Sequence, residues 1–360
     1  MHTVIVIPCY NERELIAVTA GSLGFGLSAA ATPPDTTLAL VDNGSEDGTD
    51  LVLEHIRGTS RTGSVLLLSE PVRGYVPPRH RGVLATQDLA NDLSIAADDM
   101  LILQADADTT YEEGYVAAMQ EAFRTAGPNT LIEGMVHPPA RFLHEHPGFQ
   151  RLADVVDAAI EPLNLPEEFD IVVDDKVAGF SLATYLAWGG HRREFTSKGV
   201  ELHAETTRLF IRGKIHGGSR VGTPALARPS RRKIIDNPVR QFSTAGFPRE
   251  DAWWDGWSAG YAGPRHLAAF EDPAMLPALA PAIASRKAHI IVLLGALPLF
   301  IERLLHSNSI VEVGHPLLEE FLSEMSEVSA EFSSGNLAPI FENAFELLDA
   351  WAVRFDGIRL

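Results

Sequence analysis

Two aspartates spaced two apart, Asp106 and Asp108, follow the apolar run Met100–Gln104. Carboxylates at i and i+2, where a chain leaves a sheet edge, can share one hard cation. Mg²⁺ and Mn²⁺ prefer such oxygen ligands and leave positions open for water and phosphate. Taken alone, a solvated turn is the commoner use of an Asp pair. Upstream lies Val41-Asp42-Asn43-Gly44-Ser45-Glu46-Asp47-Gly48-Thr49. Asp42 ends an apolar run, where a carboxylate can accept hydrogen bonds from a base or ribose. Ser45 or Asp47 suits the cap of a following helix. In Pro8-Cys9-Tyr10-Asn11-Glu12, Tyr10 can stack on a base and Glu12 can bond a ribose or ring nitrogen. In Arg79-His80-Arg81-Gly82, an arginine near a helix start is suited to a pyrophosphate.

Something must hold these groups together. Thr3–Ile7, Thr37–Val41, Ser64–Leu68 and Met100–Gln104 read as strands, each bounded by Pro, Gly, Asn or Asp. Their continuous apolar character predicts burial on both faces. Helical patterns cover Glu12–Leu23, Thr49–Arg57, Pro78–Asn91 and Glu113–Thr125. This βαβα rhythm predicts an α/β fold with a mostly parallel sheet flanked by helices. Ligands bind beyond the carboxyl ends of such strands. The motifs after Ile7, Val41 and Gln104 all fall at that edge.

After Pro138 the pattern loosens. Arg141–Ile160 reads as helical, Val177–Leu186 as a strand entering a helix, and Gly217–Arg249 as a Gly-, Pro- and Arg-rich loop. Glu319–Phe332 and Ile340–Val353 have helical periodicity. We therefore expect an α/β half at 1–135, a looser half with a basic loop at 136–263, and a helical region at 264–360.

Among 360 residues, 29 Lys and Arg face 48 Asp and Glu, for a formal charge of -19. That balance argues against a nucleic-acid partner, which needs Lys and Arg to neutralise phosphates. The single cysteine, Cys9, allows no intrachain disulfide. The chain opens directly on an apolar run with no secretory pattern, and we expect a cytoplasmic protein. The apolar stretch His289–Leu305 is interrupted by Pro298, Glu302 and Arg303, which predicts a buried helix rather than a membrane span. The acidic helical C-terminal region is a candidate surface for a homodimer.

In order, the four motifs resemble family-two glycosyltransferases of the GT-A fold. The matching residues are Pro8 through Glu12, Asp42 through Thr49, Arg79 with Gly82, and Asp106 with Asp108; His80 stands where that family has Asn. The resemblance implies that Pro8, Tyr10, Glu12 and Asp42 line a nucleoside site. It implies that Asp106 and Asp108 reach a Mn²⁺ or Mg²⁺ ion and the diphosphate of a nucleoside diphosphate sugar, with Arg79 adding charge. The sugar would pass to an acceptor hydroxyl whose identity the sequence leaves open.

The later residues follow the family pattern more loosely. Val177–Ala183 resembles the strand flooring the acceptor site, and Gly189-Gly190-His191 the G-G-F turn. Glu205-Thr206-Thr207-Arg208-Leu209-Phe210-Ile211-Arg212 fits E-D-x-x-L-x-x-R, with Thr206 in place of Asp. That Asp is the base of inverting members, and threonine cannot replace it. Glu205 or Glu201 takes the role, or the enzyme is retaining. His216, where retaining relatives carry a histidine ligand, is a candidate third metal ligand. Thr223–Arg232 resembles a flexible T-S-x-R-R loop, which puts Arg231 and Arg232 over the diphosphate. In Trp253-Trp254-Asp255-Gly256-Trp257, we expect at least one tryptophan in the core. The rival readings are a nucleotidyltransferase, which would have a Gly-rich basic loop where Pro8–Glu12 stands, and a non-catalytic nucleotide- or sugar-binding protein without a base at Thr206.

Overall fold

The computed structural model describes residues 1–28, 30–158, 169–306, 315–325, 332 and 335–356. They divide into two compact units. The first comprises Met1–Pro138, Val173–Arg193 and His203–Ser230. The second comprises Pro139–Val172, Glu194–Leu202 and Arg231–Leu360, and so takes in the expected helical region 264–360.

The first unit is built on one eight-stranded sheet. Its strands are β1 (His2–Cys9), β2 (Thr36–Asp42), β3 (Val65–Ser69), β4 (Met100–Gln104), β5 (Thr109–Tyr111), β6 (Thr130–Val136), β7 (Ala178–Ser181) and β8 (Ser219–Pro229). Their spatial order is β3-β2-β1-β4-β7-β6-β8-β5. The four strands expected from the sequence form a parallel half, with Cys9 beside Asp42 and Val6 beside Gln104. Val4, Ile5, Val6, Ile7 and Met100–Leu103 are buried, as continuous apolar runs require. The other half is mixed. β7 runs antiparallel to both β4 and β6, β8 runs parallel to β6, and β5 is antiparallel to β8.

β8 corrects the expectation of a loop from Gly217. Its Thr223, Ala225, Ala227 and Pro229 alternate inward, and pairing to β6 and β5 makes a strand of a sequence with poor intrinsic propensity. The helices Arg232–Asp236 and Pro238–Ser243 occupy much of the rest. The stretch resembling a flexible loop is therefore mostly strand.

The helix Val76–Leu93 lies against β1 and β2. It approaches closely because of Gly82. A Cβ there would stand 2.3 Å from Val6 Cγ1. Gly82→Ala should cost about 1–3 kcal/mol of stability from overpacking. In urea unfolding the pair Gly82→Ala/Val6→Ala should lose less than the two single changes summed. Strict additivity would show that no clash exists.

The second unit has its own core of Phe142, Phe149, Val239, Phe242, Phe270, Leu279 and neighbours. Trp254 and Trp257 pack at its margin, but no tryptophan of Trp253–Trp257 is fully buried, against expectation. They stack along one helix, Asp251–Ala259, at i, i+3 and i+4 spacing. The apolar stretch Pro273–Leu305 is long enough to cross a membrane by length and composition, and 78% of its most apolar window is buried. The helix read over Glu319–Phe332 is seen as Pro316–Met325, with 326–331 outside the described residues. Ile340–Val353 lies within the helix Ala338–Asp356.

Candidate functional site

The carboxyl ends of β1 and β2 are tied together by the two motifs that leave them. The Asn11 backbone N–H donates to Ser45 Oγ at 3.0 Å, and that of Glu12 to Thr49 Oγ1 at 2.9 Å. The Glu46 N–H donates to Asn11 Oδ1 at 2.8 Å. Asp42 is half-buried, and its Oδ1 accepts the Ser45 N–H at 3.1 Å. Asp42 therefore shapes the turn. Asp47, just before the N-cap Gly48, accepts the Thr49 N–H on Oδ1 at 3.0 Å and so satisfies the first N–H of the next helix. Pro8 is half-buried, and Tyr10 is exposed with the Arg73 guanidinium 4.0 Å from its ring centroid. Burial pushes the Cys9 thiol up, so it stays protonated.

A second cluster forms where β4 ends. Arg79, in the first turns of the Val76–Leu93 helix, is buried between two carboxylates. Its Nε donates to Glu205 Oε1 at 2.9 Å and its Nη2 to Asp106 Oδ1 at 2.6 Å. Its Nη1 is buried without a hydrogen-bond partner. Burial disfavours the Arg79 charge, but Asp106, Asp175 and Glu205 outweigh it and hold the guanidinium protonated. Glu205 opens the helix Glu205–Ile215 directly after Ala204, whose φ of 61° turns the chain into it. The Tyr111 hydroxyl accepts the Asp106 N–H at 3.1 Å and donates to the Lys176 carbonyl at 3.0 Å. The Asp106–Asp108 loop is further held by Thr19, whose hydroxyl donates to the Ala107 carbonyl at 2.8 Å. The Ser230 N–H donates to the Asp108 carbonyl.

Sequence reasoning missed Asp175. It stands in a single helical turn, Asp175–Val177, just before β7, and its Oδ1 is buried without a hydrogen-bond partner. Burial and Glu205 raise its pKa to about 7; Arg79 and the Thr206 hydroxyl oppose the rise, and Asp106 adds to it. The signal was the run Asp174-Asp175-Lys176 ahead of an apolar strand, since charges there are unusual unless partnered. Behind it, Gln104 Nε2 donates to Thr206 Oγ1 at 2.9 Å.

The structure does not bring His216 to the aspartates. His216 caps the far end of the Glu205–Ile215 helix, exposed, with its carbonyl accepting from Asn129 Nδ2 at 3.0 Å. It lies eleven positions beyond Glu205 along the helix, a rise of about 16 Å. Among the described residues, no three His, Cys, Asp or Glu gather as a cation cage. Two carboxylates still fit a cation that takes its other ligands from a diphosphate and water. Arg231 and Arg232 belong to the second unit, where Arg231 lies 5.9 Å from the Phe142 ring centroid.

No curated protein sequence matches the chain. Three solved structures illustrate its likenesses. A mannosyltransferase from Pyrobaculum calidifontis, in complex with GDP-Man and Mn²⁺, is 13% identical over 98% of this chain and 87% of its own, with a TM-score of 0.46. Residues 1–349 of TarS from S. aureus are 12% identical over 93% of this chain and 92% of that one, at 0.39. Glucosyl-3-phosphoglycerate synthase from Mycobacterium tuberculosis is 15% identical over 64% and 72%, at 0.35. The family comparison is local to the leading segment that carries Pro8–Glu12, Asp42–Thr49, Arg79 and Asp106: residues 4–139 match the model of glycosyl transferase family 2.

Proposed function

We propose that the protein transfers a sugar from a nucleoside diphosphate sugar to an acceptor hydroxyl, with a divalent cation. The observation carrying this reading is Arg79, fixed by Asp106 and Glu205 with its buried Nη1 unpartnered at the edge where β1, β2 and β4 end. A preorganised guanidinium suits a diphosphate, whose oxygens accept charge-assisted hydrogen bonds. Pro8, Tyr10, Glu12 and Asp42 make the nucleoside side of the site. Tyr10 is free to stack on a base with its outer face, and Asp42 keeps a second oxygen for a ribose. Asp106 and Asp108 are assigned to Mn²⁺ or Mg²⁺, which when bound neutralises charge on the departing diphosphate. Glu205 has one oxygen committed to Arg79, so we assign it the positioning of that guanidinium.

Calorimetry with a panel that includes UDP-glucose and GDP-mannose, with and without Mn²⁺, tests the reading. At least one donor should bind in the micromolar range, tighter with Mn²⁺, and its hydrolysis should release a nucleoside diphosphate. Binding without any turnover would favour a non-catalytic binding protein. Absence of binding across the panel would sink the proposal.

A further inference from the structure

The connection from β3 to the helix Val76–Leu93 is short and pinned at several points. Asn43 Nδ2 donates to the Glu70 and Val72 carbonyls at 2.7 and 2.8 Å. Glu70 Oε1 accepts the Val72 N–H at 2.8 Å. Arg73 Nη2 donates to the Gly44 carbonyl at 2.6 Å, and its guanidinium lies over the Tyr10 ring. Gly74, at a φ of 146° that favours glycine, then turns the chain into the helix. A connection bonded to the turn after Asp42 thus ends on Tyr75.

Tyr75 is 48% exposed, and its ring lies against the His203 imidazole, with centroids 3.7 Å apart and planes tilted by 40°. His203 is half-buried, and its carbonyl accepts Arg208 Nε at 3.1 Å from a guanidinium side chain that is itself buried. Both rings therefore stand on fixed backbone. Residues four apart on a helix share a face, so Tyr75 lies one turn ahead of Arg79. His203 lies two residues ahead of Glu205. The Arg79–Glu205 ion pair and the Tyr75–His203 ring pair join the same two segments, and the ring pair is the more exposed of the two bridges.

We propose that Tyr75, backed by His203, is the surface against which the donor's sugar packs. This rests on the glycosyl-transfer reading above. The connection links two aromatic surfaces. One, Tyr10 under Arg73, is assigned to the nucleoside; the other stands beside the Arg79 that the diphosphate meets. A donor held by its base at Tyr10 and by its diphosphate at Arg79 carries its sugar beyond the diphosphate, so the second surface falls to the sugar. The C–H face of a pyranose ring is apolar and packs well on an aromatic ring. A ring already held in place loses little freedom on contact. Tyr75 therefore sets the share of donor affinity that comes from the sugar rather than the nucleotide.

The test is calorimetry on the full chain with Mn²⁺, comparing the nucleotide sugar of the panel that binds, UDP-glucose or GDP-mannose, with its own nucleoside diphosphate, UDP or GDP. Tyr75→Ala should weaken the nucleotide sugar about tenfold and leave the nucleoside diphosphate within about twofold, the scale of one aromatic contact. Tyr75→Phe keeps the ring and should hold both affinities near wild type. Where Tyr75→Ala fails to fold, Tyr75→Leu keeps apolar bulk at the helix start and gives the same readout. Equal loss on both ligands would assign the ring to the nucleotide, and no loss on either would put it outside the site; each overturns the proposal. A loss in Tyr75→Phe as large as that in Tyr75→Ala also overturns it, because the hydroxyl and not the ring face would then carry the effect. A wild type that binds no nucleotide sugar overturns the glycosyl-transfer reading itself.

Discussion

Arg79→Met should lower the unfolding free energy by about 3–5 kcal/mol, the usual cost of removing one partner from a buried ion pair. The penalty is electrostatic in origin. Glu205 has a side chain only 5% exposed, and the Arg79 Nε–H is its bonded counter-charge. Without it, a carboxylate stays in a poorly solvated site beside Asp175. Asp106 suffers less, because its side chain is 29% exposed. The double change Arg79→Met/Glu205→Gln should therefore recover most of the loss, since the replacement amide carries no charge. Urea unfolding of the three variants measures this directly. A loss under 1 kcal/mol in Arg79→Met would show that the pair does not brace the unit.

Asp108→Ala should reduce donor turnover by about 100-fold or more while leaving the fold intact. A bound cation contributes several kcal/mol to stabilising charge on a leaving oxyanion, and each 1.36 kcal/mol is tenfold in rate. Asp108 is half-buried, and the two Arg79 ion pairs described above run to Asp106 and Glu205. Its replacement therefore separates cation binding from the architecture of the site. The Mn²⁺ dependence of turnover should flatten in the variant, and its melting temperature should stay within about 2 °C. Full Mn²⁺-dependent activity would remove Asp108 from the cation site.

The parallel half of the sheet was legible because each of its strands is an unbroken apolar run; β1, β2 and β4 are buried as such runs require, while the edge strand β3 is only half-buried. The turn after Asp42 was legible for the same reason that it folds: Gly44 and Gly48 sit at φ of 72° and 90°, which few other residues tolerate. β8 was not legible. Its Gly, Pro and Arg residues describe a loop until β6 and β5 present their edges to it. In the site, Asp106 and Arg79 could be named from local motifs. Their bond to Glu205 could not, because 126 residues separate it from Arg79. Asp175 was hidden for a related reason. The charged run Asp174-Asp175-Lys176 ahead of an apolar strand is a weak signal, and only the insertion of β7 between β4 and β6 shows which carboxylate is buried. His216 was named because retaining relatives carry a histidine ligand there; the Glu205–Ile215 helix puts it at the helix's far end.

The insertion of β7 also limits what the leading segment can be on its own. A chain ending near residue 139 would keep β3, β2, β1 and β4 in register but leave β4 with one unpaired side, and β6 would have no neighbour to bridge back to it. Every residue of β4 is buried in the complete unit, so that side would present a bare, apolar, hydrogen-bonding edge to solvent. Such edges recruit other strands. Synthesised alone, the segment that matches the family model should self-associate through β4; in the whole protein the short strand Ala178–Ser181 pairs with that edge.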